Sequence, residues 1–169
     1  TPCEHSFPTR RSSDLKFLTI ILMFIGGSPG STAGGIKTTT AGILLMTVIS
    51  VIRGRNDTEV FHKRISKEIV YRAFAVTTLG LALVTVVTMI LSITEVGASF
   101  EHLLYEVTSA FATVGLTLGL TTKLTSIGKV LIALTMYLGR VGPMTVVLAL
   151  TNKKGNNAIR YPEEKIMVG

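Results

Sequence analysis

The sequence predicts an all-α integral membrane protein, and three observations lead to that prediction. Hydrophobic residues make up 47% of the 169 residues and charged residues only 16%, with a mean hydropathy of +0.53, whereas soluble globular domains carry roughly 25% charged residues. The apolar residues form long uncharged runs. The basic residues behind the net charge of +7 lie in short clusters between those runs. This distribution is typical of membrane-protein loops and does not indicate a nucleic-acid partner.

The first fourteen residues are set aside from the fold prediction. Residues 1–14 resemble translated adapter sequence, so we expect this part not to be native. Arg10 and Arg11, with the apolar run that follows, also imitate a secretory signal peptide. Because the apolar pattern resumes beyond the position where cleavage would fall, we disfavour that interpretation. Cys3 is the single cysteine, so we expect no disulfide within the chain.

Residues 15–52 predict a broken transmembrane helix. The apolar run Phe17–Ile52 has 36 residues interrupted by one charge, Lys37. As a single helix it would be about 54 Å long, against a hydrocarbon layer of about 30 Å. Five glycines and a proline within residues 26–35 disfavour a continuous helix. Non-helical backbone at membrane depth is tolerated only where it is buried in protein or lines a water-filled cavity. We therefore predict an intramembrane loop at 26–37 beside a permeation pathway.

The rest of the chain predicts a crossing, a half-helix and a second crossing, in that order. A run of 22 uncharged residues predicts a transmembrane helix over 72–94. Residues 99–111 predict a half-helix of about 18 Å, which is too short to span the membrane. A glycine-containing extended stretch follows at 112–116. Another run of 22 residues, with the single charge Arg140, predicts the last helix over 126–150.

Arg140 lies near the centre of the predicted last crossing. A guanidinium at that depth costs at least about 2.5 kcal/mol, and the crossings contain no carboxylate that would pair with it. Two interpretations stay open: the side chain extends to the interface, or it faces a water-filled pore and repels other cations. The central position favours the pore.

Basic residues predict the orientation in the membrane. The loop 53–71, taken with Arg72, holds six basic residues and the tail 151–169 holds four, whereas residues 95–129 hold two. By the positive-inside rule the loop and the tail are cytoplasmic, and the half-helix enters from the outside. The C-terminus is therefore expected in the cytoplasm.

The segment Gly30–Thr38 resembles a phosphate-binding loop, but the match fails. One extra residue stands between Gly35 and Lys37, and no strand precedes the loop. We therefore expect neither an enzyme nor catalytic residues.

The order of elements in 72–150 is that of a potassium-channel repeat. In such repeats backbone carbonyls replace the hydration shell of the ion, and the negative end of the half-helix faces the cavity. Taken alone, Thr113–Gly115 is also compatible with a plain β-branched connector.

Three motifs carry a resemblance to a known family. Phe24–Thr38 resembles the intramembrane loop of the Trk/Ktr/HKT superfamily of potassium transporters, Thr108–Leu116 its fourth pore loop, and Gly139–Pro143 its final pore-lining helix. The ending Ile159–Gly169 is similar to that of the Ktr-type membrane subunit.

The resemblance implies a potassium-channel-like helix, pore-loop, helix repeat preceded by a broken helix. It implies that 72–150 is the fourth repeat and 15–52 the second helix of the third, in a C-terminal fragment that is inactive alone. It also implies that Arg140 holds a gate closed through hydrogen bonds to the loop. The implied K⁺ ligands are the backbone carbonyls of Thr113, Val114 and Gly115, in a selectivity filter that includes Leu116. The implied gate loop comprises Gly26, Gly27, Ser28, Gly30, Ser31, Thr32, Gly34, Gly35 and Lys37.

The resemblance further implies potassium uptake by a multi-pass subunit of the bacterial plasma membrane. Its implied partners are membrane lipid, a second full-length subunit in a homodimer, and a cytoplasmic nucleotide-binding ring that meets the loop 53–71 and the tail. No covalently bound cofactor is expected, and Na⁺ stays open as a transported or coupling ion. The alternatives are another monovalent cation transporter, or a non-conducting helical scaffold whose glycines serve close helix packing.

Overall fold

The computed structural model describes residues 9–54, 59–60, 63–95 and 97–142, with side chains from residue 14 onward except between 55 and 64 and at 96. Across these residues the helices are joined by loops and by one short antiparallel pair of strands, with Glu59 opposite Arg64. The prediction of a helical chain is therefore confirmed. The elements are α1 (Thr9–Phe24), α2 (Thr38–Ile52), β1 (Glu59–Val60), β2 (Lys63–Arg64), α3 (Lys67–Thr94), α4 (Phe100–Ala112) and α5 (Ser126–Val141).

Helix α3 is long and apolar enough to cross a membrane. Its 28 residues correspond to about 42 Å, and it begins five residues before the predicted start at 72. Large apolar side chains on its surface are exposed, among them Leu81, Met89 and Ile93. Exposed apolar side chains of this size suit contact with lipid or with further protein.

Helix α4 is the central element of the described part. It packs against α1, α3 and α5, while α2 packs against α3. Its 13 residues give a length of about 20 Å, too short to span a bilayer. The side chains from Tyr105 to Ala112 are all buried, so this half-helix is enclosed by its neighbours. The main core consists of Ile36, Val84, Val87, Leu91, Leu103, Val107, Ala110, Phe111, Leu124 and Ile132.

Between α1 and α2 the chain makes a closed loop. Ile25 and Ile36 form a parallel bridge at its neck. The N–H of Ile36 donates to the carbonyl of Phe24 at 3.2 Å, and the N–H of Thr38 donates to the carbonyl of Gly27 at 3.1 Å. The chain therefore leaves α1 at Phe24 and returns to the end of α1 before α2 begins. This loop lies where we predicted the loop 26–37.

The start of α5 is fixed by a buried carboxylate. Thr125 is the N-cap residue, and its side chain accepts a hydrogen bond from the N–H of Gly128 at 3.2 Å. Glu95, directly after α3, accepts hydrogen bonds from the N–H of Thr125 at 3.1 Å and from its hydroxyl at 2.6 Å. Because side-chain caps satisfy backbone groups that a helix end leaves unpaired, these contacts fix where α5 begins.

Several predicted regions lie wholly or partly outside the described residues. These are residues 143–150 of the last predicted crossing, the tail 151–169, and residues 1–8 with part of the basic loop. Residues 9–14, which we expected not to be native, belong to α1, and that expectation stays a prediction.

Candidate functional site

The C-terminal end of α4 is closed by an unusual cap. Thr113 adopts φ 54° and ψ 35°, the left-handed conformation. Among the described residues, every other residue with positive φ is a glycine. The N–H of Thr113 donates to the carbonyl of Ala110, and the N–H of Val114 to the carbonyl of Ser109, both at 3.0 Å. This is the Schellman arrangement, in which glycine is the usual residue at the left-handed position. The helix therefore ends at Ala112, and the chain changes direction at Thr113.

The residues after this cap form an open stretch of backbone. Val114, Gly115 and Leu116 are exposed, and Gly115 has φ +81°, a conformation that glycine adopts without steric cost. Among the residues that the structure describes, the carbonyls of Thr113, Val114 and Gly115 accept no hydrogen bond. These carbonyl oxygens are therefore available to a ligand that needs acceptors, and a desolvated cation is such a ligand.

The glycine loop between α1 and α2 is bound to this same end of α4. The N–H of Gly35 donates to the carbonyl of Phe111 at 3.1 Å. The N–H of Gly34 donates to the hydroxyl of Thr113 at 3.0 Å. These two bonds join segments that are far apart in sequence, and they tie the loop directly to the first residue of the open stretch.

Phe111 anchors the junction of loop and half-helix. Its side chain is fully buried, and its ring stacks on that of Phe24 with centroids 5.8 Å apart. A Cβ at Gly34 would lie 2.8 Å from the Phe111 carbonyl oxygen, and a Cβ at Gly139 of α5 would overlap that oxygen. The absence of side chains at these glycines allows the loop, α4 and α5 to meet around one carbonyl.

The predicted loop residues differ in burial. Gly34 and Gly35 are buried against α4, Gly26, Gly27 and Lys37 are half-buried, and residues 28–32 are exposed. Lys37 closes the loop from its own side, since its Nζ donates to the carbonyls of Ser31 at 3.2 Å and Ala33 at 2.7 Å. The loop is therefore a compact unit with one docked side and one exposed tip.

Arg140 lies beside this junction but is not bonded to it. It follows Gly139 in the last turn of α5, and its side chain is exposed. Within the described part of the chain its guanidinium forms no hydrogen bond or ion pair, and Lys37 is the cation that binds the loop carbonyls. The role of Arg140 in holding the loop stays a prediction.

One buried group of this site was missed in the sequence. Glu106, in the middle of α4, is buried, and its carboxylate accepts hydrogen bonds from the hydroxyls of Thr117 at 2.9 Å and of Thr121. The signal available in the sequence was an acidic residue between Tyr105 and Val107, in the middle of the half-helix.

The geometry defines a class of protein: a helical protein in which a buried half-helix ends in a stretch of free carbonyls with a glycine loop docked against it. The family model described as TrkH, cation transport protein, matches residues 10–159. The chain therefore belongs to this family of membrane cation transport proteins, and the resemblance seen in the sequence is confirmed.

Named relatives give the same result. The chain is 49% identical over 158 residues to the potassium/sodium uptake protein NtpJ of Enterococcus hirae, with 90% of this chain and 35% of that protein covered. It is 41% identical to the Ktr system potassium uptake protein B of Bacillus subtilis, covering 96% of this chain and 36% of the relative. The corresponding protein of Vibrio alginolyticus is 35% identical, covering 95% and 35%. The chain thus spans about a third of the length of these relatives.

Proposed function

We propose that this chain forms part of the ion pathway of a potassium uptake system, as a segment of its ion-translocating subunit in the bacterial plasma membrane. One observation carries the proposal: the glycine loop is hydrogen-bonded to Phe111 and Thr113, where a stretch begins whose three backbone carbonyls accept no hydrogen bond among the described residues. A cation-binding stretch and a movable loop in direct contact are what a gated pathway requires.

The chemistry of the open stretch suits a dehydrated monovalent cation. K⁺ is held in selective pores by neutral carbonyl oxygens that replace its water shell, and residues 113–115 supply three of them. The C-terminal end of α4 carries a partial negative charge from its aligned peptide groups, which adds attraction for a cation. No covalent chemistry is needed, because the ion moves down its electrochemical gradient.

The loop is suited to act as the gate. Release of its docked side requires breaking the Gly34 to Thr113 and Gly35 to Phe111 hydrogen bonds, each worth about 0.5–1.5 kcal/mol net. An energy of this size lets a partner shift the loop between two populated states. We propose that Arg140, next to the Gly139 contact, supplies further hydrogen bonds to the loop when the pathway is closed.

A second candidate ion is Na⁺, alone or together with K⁺. The observation that favours it is the 49% identity to a relative named as a potassium/sodium uptake protein. Competition experiments separate the two ions, since a pathway selective for K⁺ is inhibited only weakly by Na⁺.

The arrangement in the membrane follows the same proposal. We propose a multi-pass subunit with a cytoplasmic C-terminus, in contact with lipid through faces such as the exposed side of α3. The relatives named as parts of a Ktr system support assembly with other components. A homodimer and a cytoplasmic nucleotide-binding ring are the partners that we propose.

Replacement of Arg140 tests the gate. In the full-length protein that carries this segment, expressed in a strain deficient in potassium uptake, we expect Arg140→Ala to raise the resting flux of Rb⁺ per molecule several-fold. Lys129→Ala, an exposed change on the same helix, is the matched control and should leave the flux unchanged.

The same measurement separates a transporter from a scaffold. If the glycines serve only helix packing, Arg140→Ala lowers the amount of assembled protein and leaves the flux per molecule unaltered. Absence of any Rb⁺ uptake by the unmodified full-length protein contradicts the proposed function itself.

A further inference from the structure

The strongest unexplained feature is the buried carboxylate of Glu106. Its side chain is 5% exposed. The hydroxyl of Thr117 donates to Oε2 at 2.9 Å, and the hydroxyl of Thr121 donates to Oε1. The two hydroxyl oxygens lie 3.0 Å apart, and the Thr117 oxygen also accepts the N–H of Gly119 at 3.0 Å. Both carboxylate oxygens are therefore satisfied by one short turn.

The position of this network relates it to the open stretch of backbone. Thr117 is the first residue after Leu116. Its bond to Glu106 therefore holds the C-terminal end of residues 113–116 against the side of α4. The N-terminal end of the same stretch is held by the helix cap at Thr113. The stretch is thus held at both ends, while its own carbonyls stay unpaired among the described residues.

A carboxylate is chemically specific for this task. Its two oxygens can only accept, so the hydroxyls of Thr117 and Thr121 can both donate to it at the same time. Hydrogen bonds to a charged group are roughly twice as strong as those between neutral groups. A glutamine would place an N–H₂ donor against one hydroxyl and reverse that bond. Across the described residues Glu106 has no basic partner, so its burial depends on these two threonines.

We propose that Glu106 is a positioning residue for ion selection. By holding Thr117, Glu106 fixes the carbonyls at the C-terminal end of residues 113–116. Their oxygen atoms are then kept at the distance from the ion that distinguishes K⁺ from Na⁺. This inference rests on the proposed function, because it assigns Glu106 a role in that same pathway. It differs from general stabilisation of the fold, which would alter the amount of protein and not the choice of ion.

The test compares ion preference in the full-length protein that carries this segment. We expect Glu106→Gln and Thr117→Val to lower the ratio of the Na⁺ KM to the K⁺ KM by about tenfold, the size of one lost charge-assisted bond. Thr117→Ser keeps the hydroxyl and should restore the ratio. Glu101→Gln is the matched control, because Glu101 lies on the same helix and forms only a half-exposed ion pair with Lys16 at 3.3 Å.

The outcomes are separable. An unchanged ratio in Glu106→Gln or Thr117→Val, with the unmodified protein active, overturns the inference and leaves the proposed function intact. Absence of K⁺ and Na⁺ uptake by the unmodified protein overturns both. If Glu106→Gln fails to reach the membrane, the pair Thr117→Val and Thr117→Ser decides, since that pair differs at the same hydroxyl without changing the carboxylate.

Discussion

Thr113 combines a left-handed backbone with a side-chain hydrogen-bond acceptor. Its left-handed backbone costs a residue with a side chain about 1–2 kcal/mol, and glycine would avoid that cost. Glycine, however, has no hydroxyl to accept the hydrogen bond of the Gly34 N–H, which measures 3.0 Å. The strained residue therefore joins the carbonyl stretch to the glycine loop, as is common where backbone strain serves a function.

Removal of this hydroxyl should loosen the loop. We expect Thr113→Val, which keeps the branched shape but not the acceptor, to increase the rate of deuterium labelling at the backbone N–H of Gly35, which is buried and bonded to the Phe111 carbonyl in the docked loop. One lost hydrogen bond of about 1 kcal/mol corresponds to roughly a fivefold increase. Thr113→Ser retains the acceptor and serves as the control. Equal labelling rates in the Val and Ser variants would contradict a coupling between loop and carbonyl stretch.

At the scale of elements, α4 and α5 meet at a glycine. A Cβ at Gly139 would overlap the carbonyl oxygen of Phe111, the same oxygen that accepts the N–H of Gly35. The contact between these two helices and the docking of the loop therefore depend on one another. A side chain at position 139 would press on the carbonyl that the loop binds.

Substitution of Gly139 measures that dependence. We expect Gly139→Ala to lower the free energy of unfolding by about 1–3 kcal/mol, as over-packing does elsewhere, and to lower the melting temperature of the purified full-length protein. Gly42→Ala on α2 is the control, because a Cβ there meets nothing within 4 Å and alanine is favoured in helices by about 1 kcal/mol. A higher melting temperature for both variants would refute the tight contact at Gly139.

The sequence predicts elements better than contacts. The half-helix predicted at 99–111 is observed at Phe100–Ala112, and the glycine run coincides with the break between α1 and α2, because length, hydropathy and glycine act locally. The docking of Gly34 on Thr113 joins residues 79 positions apart, and no local pattern carries that information. Glu106 and Thr117 are only 11 positions apart, but their pairing depends on how the chain turns after the end of α4, and the sequence pattern does not specify that turn.

At the scale of the whole molecule, much of the described surface is apolar. Exposed large hydrophobic side chains occur on each of the five helices, for example Phe17, Val51, Ile93, Phe100 and Tyr137. Lipid covers some of this surface in a membrane. The chain also spans only about a third of its relatives, so further protein segments are expected to cover the rest.

The 169 residues alone should not form a selective pathway. A selective cation site needs a ring of carbonyl-bearing segments around one axis, and the described residues supply a single such segment, 113–116. We therefore expect the full-length protein to restore growth of an uptake-deficient strain at low external K⁺, and the 169-residue chain to fail even when its amount in the membrane is equal. Growth and Rb⁺ uptake supported by this chain alone would show that its copies assemble into a complete pathway, and would refute the requirement for additional segments.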